Sequence, residues 1–397
     1  MGRLAVPLAP LLDSVAMGIA ELTRNAVDVL PEAGLEAKLK HGRPLRVKLG
    51  IDVTAPQATL GNGIPLQRMR AFQDEGHTGV LIVGDYTARI GDPSGRSAER
   101  PMLDPAEIDR MAERFFESAY TILDPERTEV RFNGEWLKGL DFAGVLRLTR
   151  TATVARMLER DDFAKRFSAG EPISVSELLY PLMQAYDSVA IEADVELGGT
   201  DQLYNLLTGR DVMEAYGLEP QVVLTTPLIN SWDGTKMSGS RGNYIGLLEA
   251  GEEQFGKAMR FPDEMLPELY RLVMEREPPA GDPMEAKLAF ARFVVARSHG
   301  EEAAKAAEEH FTRVVRQGEA PEDVPDHALP AGDPVHLPGL LADAFGLSTS
   351  EARRLIAQGG VKLDGGAVTE LDLPRERVAG AVLQAGKRRF VRLNEAV

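Results

Sequence analysis

Five short stretches of the sequence carry polar or charged side chains at spacings that suit a polar ligand, and four of the five also contain glycine. The first runs from Asp52 to Asn62, and its Thr54, Thr59 and Gly61 lie between a strand-like and a helix-like segment. A helix N-terminus suits phosphate because it offers unpaired N–H groups and a positive dipole end. Gly61 would admit a nucleotide closely, and Thr59 and Asn62 would add hydrogen bonds. A plain helix cap is the alternative, because threonine and asparagine cap helices well.

The second stretch, residues 90–101, follows the buried-strand pattern of residues 80–84. Loops at the carboxyl ends of parallel strands are common ligand sites. Asp92 could bind an ammonium group, and Arg96 and Arg100 could neutralise a leaving polyphosphate. An ordinary turn with solvated charges is the alternative.

The third stretch places Tyr180, Gln184 and Asp187 at positions i, i+4 and i+7, and therefore on one face of a predicted helix. That face is polar within an otherwise apolar segment. Buried polar groups need partners, so the face predicts a polar ligand or, alternatively, an internal hydrogen-bonded network.

The two remaining stretches are rich in glycine. Paired glycines precede Asp201 and Gln202, which predicts a tight approach to a polar group such as a ribose, or else a strand-to-helix turn capped by Asp201. Residues 233–243 form a glycine- and serine-rich segment with one lysine, Lys236. Such a loop can close over phosphates and bring its ammonium to developing negative charge.

The elements that must position these residues read as a parallel α/β unit. Residues 45–52 and 80–84 are short apolar runs typical of buried strands, and residues 61–76 between them carry apolar side chains at helical spacing. Strand, loop, helix and strand within about 40 residues predict a βαβ unit, so we expect a Rossmann-like, doubly wound parallel sheet.

Length and composition exclude several classes of protein. A chain of 397 residues predicts two or three domains. There is no apolar run long enough to span a membrane and no secretory signal. Cysteine is absent and the six histidines have no metal-ligand spacing, so we expect no metal site and no tightly bound cofactor. These features favour a cytoplasmic protein.

Charge is unevenly distributed along the chain. The net charge is −16, which argues against a partner held by bulk electrostatics. Residues 335–397, however, hold nine Lys and Arg against seven Asp and Glu. A nucleic acid would therefore be met by local patches, and this tail is a candidate. Residues 265–276 and 285–317 have helical patterns, and residues 320–334 contain four prolines and read as a linker.

Taken together, the motifs resemble those of the tyrosyl-tRNA synthetase family. The segments IGDPSGRSAERP, YPLMQAYD, LGGTDQLYN, KMSGS and NYIGL occur in the family's order, and the resemblance spans residues 47–393. It implies that tyrosine attacks the α-phosphate of ATP, giving tyrosyl-adenylate and pyrophosphate, and that the tyrosyl group then moves to the 3′ end of tRNA(Tyr). ATP as substrate, Mg²⁺ accompanying it, and a homodimer are implied as well.

The resemblance also implies domains and residue roles. The domains are a catalytic domain at 1–227, a helical anticodon-recognition domain with the mobile loop at 228–319, a linker at 320–334 and an RNA-binding domain at 335–397. Asp187 would read the phenol hydroxyl, and the ammonium would be held by Asp92, Tyr180 and Gln184. The set assigned to tyrosine is Lys48, Asp92, Tyr180, Gln184 and Asp187. The set assigned to ATP is Gly50, Asp52, Thr54, Thr59, Gly61, Asn62, Gly199, Asp201, Gln202, Lys236, Met237, Ser238, Gly239 and Ser240. The catalytic set is Thr59, Asn62, Arg96, Arg100 and Lys236.

The tail resembles a small RNA-binding domain that closes most bacterial members of the family. Ser348 or Ser350 would cap a helix with Glu351 in its first turn. Five basic side chains would reach RNA phosphates, with a solvated charged face as the alternative. They are Arg353, Arg354, Lys387, Arg388 and Arg389.

The phosphate-handling motifs depart from the family pattern. Class I synthetases usually carry HIGH, or HLGH in this subgroup, and here Thr59 and Asn62 replace both histidines. Gly239 stands where many members have a second lysine. Each lost transition-state contact would cost about 2–4 kcal/mol. Some tryptophanyl synthetases resemble the first variant, and eukaryotic tyrosyl enzymes often lack the second lysine.

Three hypotheses follow from the motifs and their departures. The first is a working tyrosine–tRNA ligase. The second is a paralogue impaired in adenylation that binds RNA as a regulator or partner. The third is a tryptophanyl-type enzyme, suggested by residues 59–62 and opposed by Gln184, Asp187 and the basic tail.

Overall fold

The chain is described by a computed structural model that covers residues 18–51, 57–89, 105–316, 324–386 and 389–395. The described residues divide into two compact units. The first lies within residues 1–249 and 260–290, and the second within residues 250–259 and 291–397. The four-part division expected from the sequence stays a prediction.

A six-stranded sheet forms the centre of the first unit. Its strands are β1 (Asp28–Leu30), β2 (Arg46–Ile51), β3 (Thr78–Val83), β4 (Thr128–Phe132), β5 (Val195–Gly199) and β6 (Val222–Thr226). Their order is β1-β6-β5-β2-β3-β4, and every pair is parallel except β1 with β6. The predicted α/β class with a doubly wound parallel sheet is confirmed.

Helices connect the strands of this sheet, and further helices belong to the second unit. Within the described residues they are α1 (Gly34–Leu39), α2 (Gly63–Asp74), α3 (Pro105–Ala119), α4 (Gly134–Leu137), α5 (Phe142–Thr149), α6 (Val154–Met157), α7 (Asp161–Ala169), α8 (Val175–Ile191), α9 (Leu203–Ala215), α10 (Gly251–Ala258), α11 (Leu266–Leu269), α12 (Pro283–His299), α13 (Glu301–Phe311), α14 (Leu337–Phe345), α15 (Thr349–Ala357) and α16 (Arg375–Val378). None of these helices combines the length and the apolar character that crossing a membrane requires.

The buried strands explain the sequence pattern. Residues 79–83 of β3 are all buried, as expected for a parallel strand covered on both faces. Helix α2 packs Met69 and Phe72 into the same core. The predictions of a strand at 45–52, a helix at 61–76 and a strand at 80–84 are confirmed to within two residues at each end.

The order of the strands determines where a ligand can bind. From β2 the chain continues outward to β3 and β4, whereas β5 and β6 are added on the opposite side of β2. Adjacent strands whose connections lead in opposite directions leave a crevice at their carboxyl ends. Strands β2 and β5 meet this condition, and they end at Ile51 and Gly199.

The second unit combines helices with a small sheet. Its strands are β7 (Asp326–Ala328), β8 (Val335–His336), β9 (Val361–Leu363), β10 (Gly366–Ala367), β11 (Asp372–Leu373), β12 (Val382–Ala385) and β13 (Arg389–Asn394). The main sheet has the order β10-β9-β12-β13-β7, and β8 pairs with β11. Strand β7 lies within the segment expected to be a linker and pairs in parallel with β13.

Two local signals explain how helices of the second unit begin and end. Ser348 Oγ accepts a hydrogen bond from the Glu351 N–H, and the Glu351 carboxylate accepts one from the Ser348 N–H, so α15 begins with a capping box. The prediction of a capped helix here is confirmed, with Ser348 as the cap. The helical pattern of residues 285–317 is divided into α12 and α13 at Gly300, which has a φ of 86°.

Candidate active site

A cleft of about 330 Å³ opens in the first unit, where β2 and β5 end. That volume lies in the range of small-molecule sites. The structure brings together fourteen of the residues singled out in the sequence as lining of this cleft. They are Gly50, Thr59, Gly61, Asn62, Tyr180, Gln184, Asp187, Gly199, Asp201, Gln202, Lys236, Met237, Ser238 and Gly239.

Other predicted site residues lie outside the described residues. They are Asp52, Thr54, Asp92, Arg96, Arg100, Lys387 and Arg388. The backbone of Ser240 belongs to a short 3-10 helix over Gly239–Arg241. Among the described residues, no group of three or more His, Cys, Asp or Glu side chains is placed to hold a metal ion.

Asp187 is a buried carboxylate in the wall of the cleft. It lies on α8 and is 3% exposed. Trp136 Nε1 donates a hydrogen bond to Oδ1 at 2.8 Å, and Asn133 Nδ2 lies 3.5 Å from Oδ2. Burial raises the pKa of Asp187 to about 7, against the opposing effects of Lys48 and these two donors. The site therefore holds a hydrogen-bonding group whose charge changes near neutral pH.

Lys48 supports the cleft from behind and is absent from the lining that the described residues provide. Its side chain is fully buried in β2, and its ammonium lies 2.8 Å from the Glu196 carboxylate. It also donates to Ser188 Oγ at 2.7 Å and to the Gln184 carbonyl at 2.8 Å. This pairing satisfies both buried charges, so Lys48 braces α8 against β2 and β5.

Gln184 shares its side-chain amide between two neighbours. Nε2 donates to Glu196 Oε1 at 3.3 Å, and Oε1 accepts from Asn205 Nδ2 at 3.2 Å. Asn205 Nδ2 also donates to Gln202 Oε1 at 3.0 Å. The polar face predicted on α8 is therefore part of an internal network and part of the cleft lining at once.

Thr59 and Asn62 bond to each other before α2 begins. Asn62 Oδ1 accepts from the Thr59 N–H and hydroxyl, both at 2.9 Å, and the Asn62 N–H donates to Thr59 Oγ1 at 3.3 Å. Asn62 occupies the N-cap position but makes no side-chain bond to the helix. Within the described part of the chain this leaves Asn62 Nδ2 as the unused donor of the pair.

Lys236 and Asp201 join residues 233–243, here called the late loop, to the end of β5. Lys236 Nζ donates to Asp201 Oδ2 at 2.6 Å, and both side chains are partly exposed in the cleft. Gly199, two residues before Asp201, leaves room for the Asp201 side chain. A Cβ on Gly199 would lie 2.6 Å from Asp201 Oδ1 and 2.7 Å from Leu228 Cδ2, so a side chain at this position would displace Asp201 or Leu228.

Asn243 holds the late loop in shape. Its Nδ2 donates to the Asp233 carboxylate, to Thr235 Oγ1 at 2.9 Å and to the Lys236 carbonyl at 3.3 Å. Its Oδ1 accepts from the Ser238 N–H at 3.0 Å. Because Asn243 is 6% exposed, these bonds are shielded from water and brace the loop from inside.

Two predicted RNA-binding residues of the second unit share a shallow groove. Arg354 on α15 and Arg389 on β13 line it together with Glu351 and Gly386. Arg353 is exposed on α15 and does not line the described groove.

Sequence reasoning missed several residues of the site. Asn133 follows β4 directly, so the rule that ligands bind at carboxyl ends of parallel strands could have indicated it. Trp136 is one of two tryptophans, but nothing in the local sequence links it to Asp187. Glu196 and Asn205 act through long-range contacts, which residue spacing alone does not reveal.

Comparison with known proteins agrees with this geometry. A family model described as tRNA synthetases class I (W and Y) matches residues 40–316. The tyrosine–tRNA ligase of Moorella thermoacetica is 48% identical, with 96% of both chains covered. That of Thermotoga maritima is 47% identical, with 94% of this chain and 96% of the relative covered. That of Geobacter sulfurreducens is 47% identical and is covered completely.

Solved structures agree in fold. The tyrosyl-tRNA synthetase of Archaeoglobus fulgidus, complexed with L-tyrosine, has a TM-score of 0.60 at 22% identity and covers 74% of this chain and 99% of its own. A truncated mitochondrial enzyme of Aspergillus nidulans has a TM-score of 0.61 at 21% identity, covering 75% and 92%. With relatives of 47–48% identity along nearly the whole chain and a family model over most of it, the chain belongs to the bacterial tyrosyl-tRNA synthetases of class I.

Proposed function

We propose that the protein ligates tyrosine to tRNA(Tyr) in two steps, by forming tyrosyl-adenylate from tyrosine and ATP and then transferring the tyrosyl group. The observation that carries the proposal is a cleft that joins the buried Asp187 carboxylate to Thr59, Asn62 and Lys236. Such a cleft offers an acceptor for a phenol at one end and donors for phosphate at the other. The identity to tyrosine–tRNA ligases supports the same assignment.

Recognition of tyrosine would depend on the walls formed by α8 and its neighbours. The phenol hydroxyl would donate to Asp187, whose position is fixed by Trp136 and Asn133. Phenylalanine would leave this buried carboxylate without that partner, and such a loss gives strong rejection. The ammonium would be held by Tyr180 and Gln184, together with Asp92.

Adenylation would need positioning and electrostatic stabilisation, without a covalent enzyme intermediate or a general base. The ribose would bind Asp201 and Gln202. Asn62 Nδ2 would donate to phosphate, and Lys236 would move from Asp201 to the developing negative charge.

The leaving pyrophosphate would be neutralised by further cations. We propose Arg96 and Arg100 for this role, as the motif comparison implies. Mg²⁺ would arrive with ATP as part of the substrate, because it usually binds through phosphates and retains several waters.

The macromolecular partners are tRNA(Tyr) and a second copy of the chain. The basic residues of the tail would contact RNA phosphates. Several apolar side chains of residues 142–175 are exposed, and we propose that they form the contact between two copies. They are Phe142, Leu146, Val154, Phe167 and Val175, exposed by 50–76%. A role in charging tRNA would place the protein in the cytoplasm.

The test is ATP–pyrophosphate exchange with tyrosine, followed by charging of tRNA(Tyr). We expect exchange with tyrosine, none with tryptophan, and only a trace with phenylalanine. No tyrosine-dependent exchange at high protein concentration would refute the proposed function, and exchange with tryptophan instead would favour a tryptophanyl enzyme.

A further inference from the structure

We propose that Arg160 is a positioning residue for the amino-acid end of the cleft, and that it acts through Asn205 on Gln184 and Gln202. The inference rests on the proposed function, in which Gln184 contacts the ammonium of tyrosine. Arg160 itself is not among the described lining residues of the cleft.

The guanidinium of Arg160 is held in place before it reaches Asn205. Its Nε donates to Asp162 Oδ1 at 2.7 Å, and its Nη2 donates to Oδ2 at 3.0 Å. The guanidinium carbon Cζ lies 5.0 Å from the ring centre of Phe163 and 5.9 Å from the ring centre of Tyr204. The forked carboxylate contact fixes the plane of the guanidinium. Nη1 is thereby left to donate to Asn205 Oδ1 at 3.2 Å.

This contact decides which way the Asn205 amide faces. A guanidinium can only donate, so the atom facing Arg160 must be the oxygen of Asn205. The amide nitrogen then faces the opposite side, where it donates to Gln184 Oε1 at 3.2 Å and Gln202 Oε1 at 3.0 Å. Asn205 is 2% exposed, so water does not offer an equal alternative for either atom.

The hydrogen bonds that begin at Arg160 and pass through the Asn205 and Gln184 amides end at Glu196, which accepts where Arg160 donates. Glu196 is fully buried, and its carboxylate is held by the Lys48 ammonium at 2.8 Å. A carboxylate paired in this way only accepts, so Gln184 Nε2 faces it at 3.3 Å. The hydrogen bonds therefore run in one direction, from the Arg160 guanidinium through Asn205 and Gln184 to Glu196.

The direction of this chain matters for the substrate. It keeps Gln184 Oε1 as the atom on the Asn205 side, with a second lone pair available to an ammonium. Without Arg160, the Asn205 amide could turn over and place its oxygen against the two glutamine oxygens. Glu196 would still hold Gln184 Nε2, so Gln184 Oε1 would be pushed away from Asn205 and from the position where it meets the ammonium. Asp187 would still read the phenol, because its own donors are Trp136 and Asn133.

A purely structural role for Arg160 makes a different prediction. If its bond to Asp162 served only to hold the start of α7, losing it would loosen the cleft and weaken the binding of every ligand alike. The positioning role predicts a defect limited to ligands that carry the ammonium.

The experiment measures tyrosine-dependent pyrophosphate exchange by the full-length protein with Arg160→Met and Arg160→Lys. We expect Arg160→Met to raise the KM for tyrosine by about tenfold, the order expected for a hydrogen bond to a charged group, and the KM for ATP to stay within about twofold. Arg160→Lys, which keeps a donor, should recover part of the loss. The tyrosine-to-phenylalanine selectivity should stay unchanged.

The decisive probe is 3-(4-hydroxyphenyl)propionate, which is tyrosine without its ammonium. It should inhibit the wild type and Arg160→Met equally. Asn205→Asp should reproduce the defect, because aspartate still accepts from Arg160 but cannot donate to Gln184 or Gln202. The matched control is Arg156→Met, which removes the exposed ion pair with Asp211 and should leave both KM values unchanged.

Two outcomes would overturn the proposal. One is an unchanged KM for tyrosine in both Arg160→Met and Asn205→Asp. The other is a loss of inhibition by the propionate that matches the loss of tyrosine binding. If the wild type itself shows no exchange with tyrosine, the proposed function fails, and this result is distinct from failure of the variants.

Discussion

The carboxylate of Asp187 lies among buried groups, and its neighbours on the protein side are two nitrogen donors. A phenol hydroxyl would add the missing O–H donor. At the scale of single residues, the proposed selectivity for tyrosine would depend on an acceptor that costs free energy when it stays unpaired.

Replacement of this acceptor should reduce selectivity. We expect Asp187→Asn to lower kcat/KM for tyrosine and the ratio of tyrosine to phenylalanine by at least about tenfold, since a charge-assisted bond in a buried site is lost. Pyrophosphate exchange with both amino acids measures the ratio. The control is Asp141→Asn, at an exposed helix cap where asparagine serves as well as aspartate. An unchanged ratio in Asp187→Asn would contradict the assignment.

The same carboxylate should make stability depend on pH. Burial raises the pKa of Asp187 from its ordinary 3.8 to about 7 in the folded protein. The folded state thus keeps a proton that the unfolded chain releases as pH rises between about 4 and 7, so the free energy of unfolding should fall over this interval.

Asp187→Asn should remove this dependence, because asparagine does not titrate. We expect the variant to gain about 3 kcal/mol of stability relative to the wild type from pH 5 to pH 8, because about two pH units of this range lie below the raised pKa and each contributes roughly 1.4 kcal/mol. Urea unfolding followed by tryptophan fluorescence measures the difference. A constant gap between the two proteins across this range would contradict the prediction.

Single residues also show how far the sequence leads. The polar face of Tyr180, Gln184 and Asp187 is predictable from spacing, and the structure places all three in the cleft lining. Lys48 was assigned to tyrosine by resemblance, but its ammonium is paired with Glu196, 148 residues away. Such a pairing depends on which strands become neighbours in the sheet. The spacing of residues along the sequence does not reveal this.

At the scale of elements, the late loop is a braced structure. The segment from Asp233 to Asn243 folds around the Asn243 amide, which bonds to three other residues of the loop and to the backbone of Lys236. The sequence predicted a mobile loop from its glycines and serines. The sequence did not predict the hydrogen bonds of Asn243 that brace this loop. They depend on a turn geometry that several sequences can adopt.

Loss of the brace should affect the nucleotide end of the cleft. We expect Asn243→Ala to lower kcat for pyrophosphate exchange by about tenfold, because the free backbone no longer presents Lys236 in a fixed position. The KM for tyrosine should change by less than about twofold. Asn230→Ala, an exposed asparagine of the same region, is the matched control. A kcat equal to that of the control would show that the brace has no role in adenylation.

The strands and helices themselves were more accessible to prediction than the loops. Buried apolar runs gave β2 and β3, and helical periodicity gave α2, because a parallel sheet covered on both faces demands such patterns. The short strand β7 was missed, since proline and polar residues around 326–328 resemble a linker. Its partner β13 lies more than 60 residues later.

At the scale of the whole molecule, assembly can be tested through the exposed apolar side chains. Phe142 and Leu146 lie one helical turn apart on α5, and Phe142 is 76% exposed. We expect Phe142→Glu to shift a dimer toward monomer in sedimentation, because a charge would be buried at the contact. Val27→Glu is the control, as an exposed apolar residue outside this segment. A dimer that tolerates Phe142→Glu would place the contact elsewhere.

The shallow groove of the second unit, which Arg354 and Arg389 help to line, gives a separate prediction. Arg354→Gln and Arg389→Gln should each weaken tRNA binding and reduce the slope of log affinity against log salt by about 1. Tyrosine-dependent pyrophosphate exchange should stay unchanged, because exchange does not require tRNA. Arg377→Gln, whose side chain is already paired with Glu370, should change the slope less. Equal slopes in all three variants would argue against the groove as an RNA contact.

The contact between Lys236 and Asp201 has a consequence for the order of events at the cleft. The Lys236 ammonium, which we propose binds the phosphates, donates to the Asp201 carboxylate, which we propose binds the ribose. A nucleoside would therefore free Lys236, because its sugar hydroxyls would donate to Asp201 in place of the lysine ammonium. Tripolyphosphate alone lacks the sugar, so it would meet a site whose main cation is still engaged. Ribose and phosphate would thus be recognised as one unit, and stray polyphosphate would compete poorly with ATP.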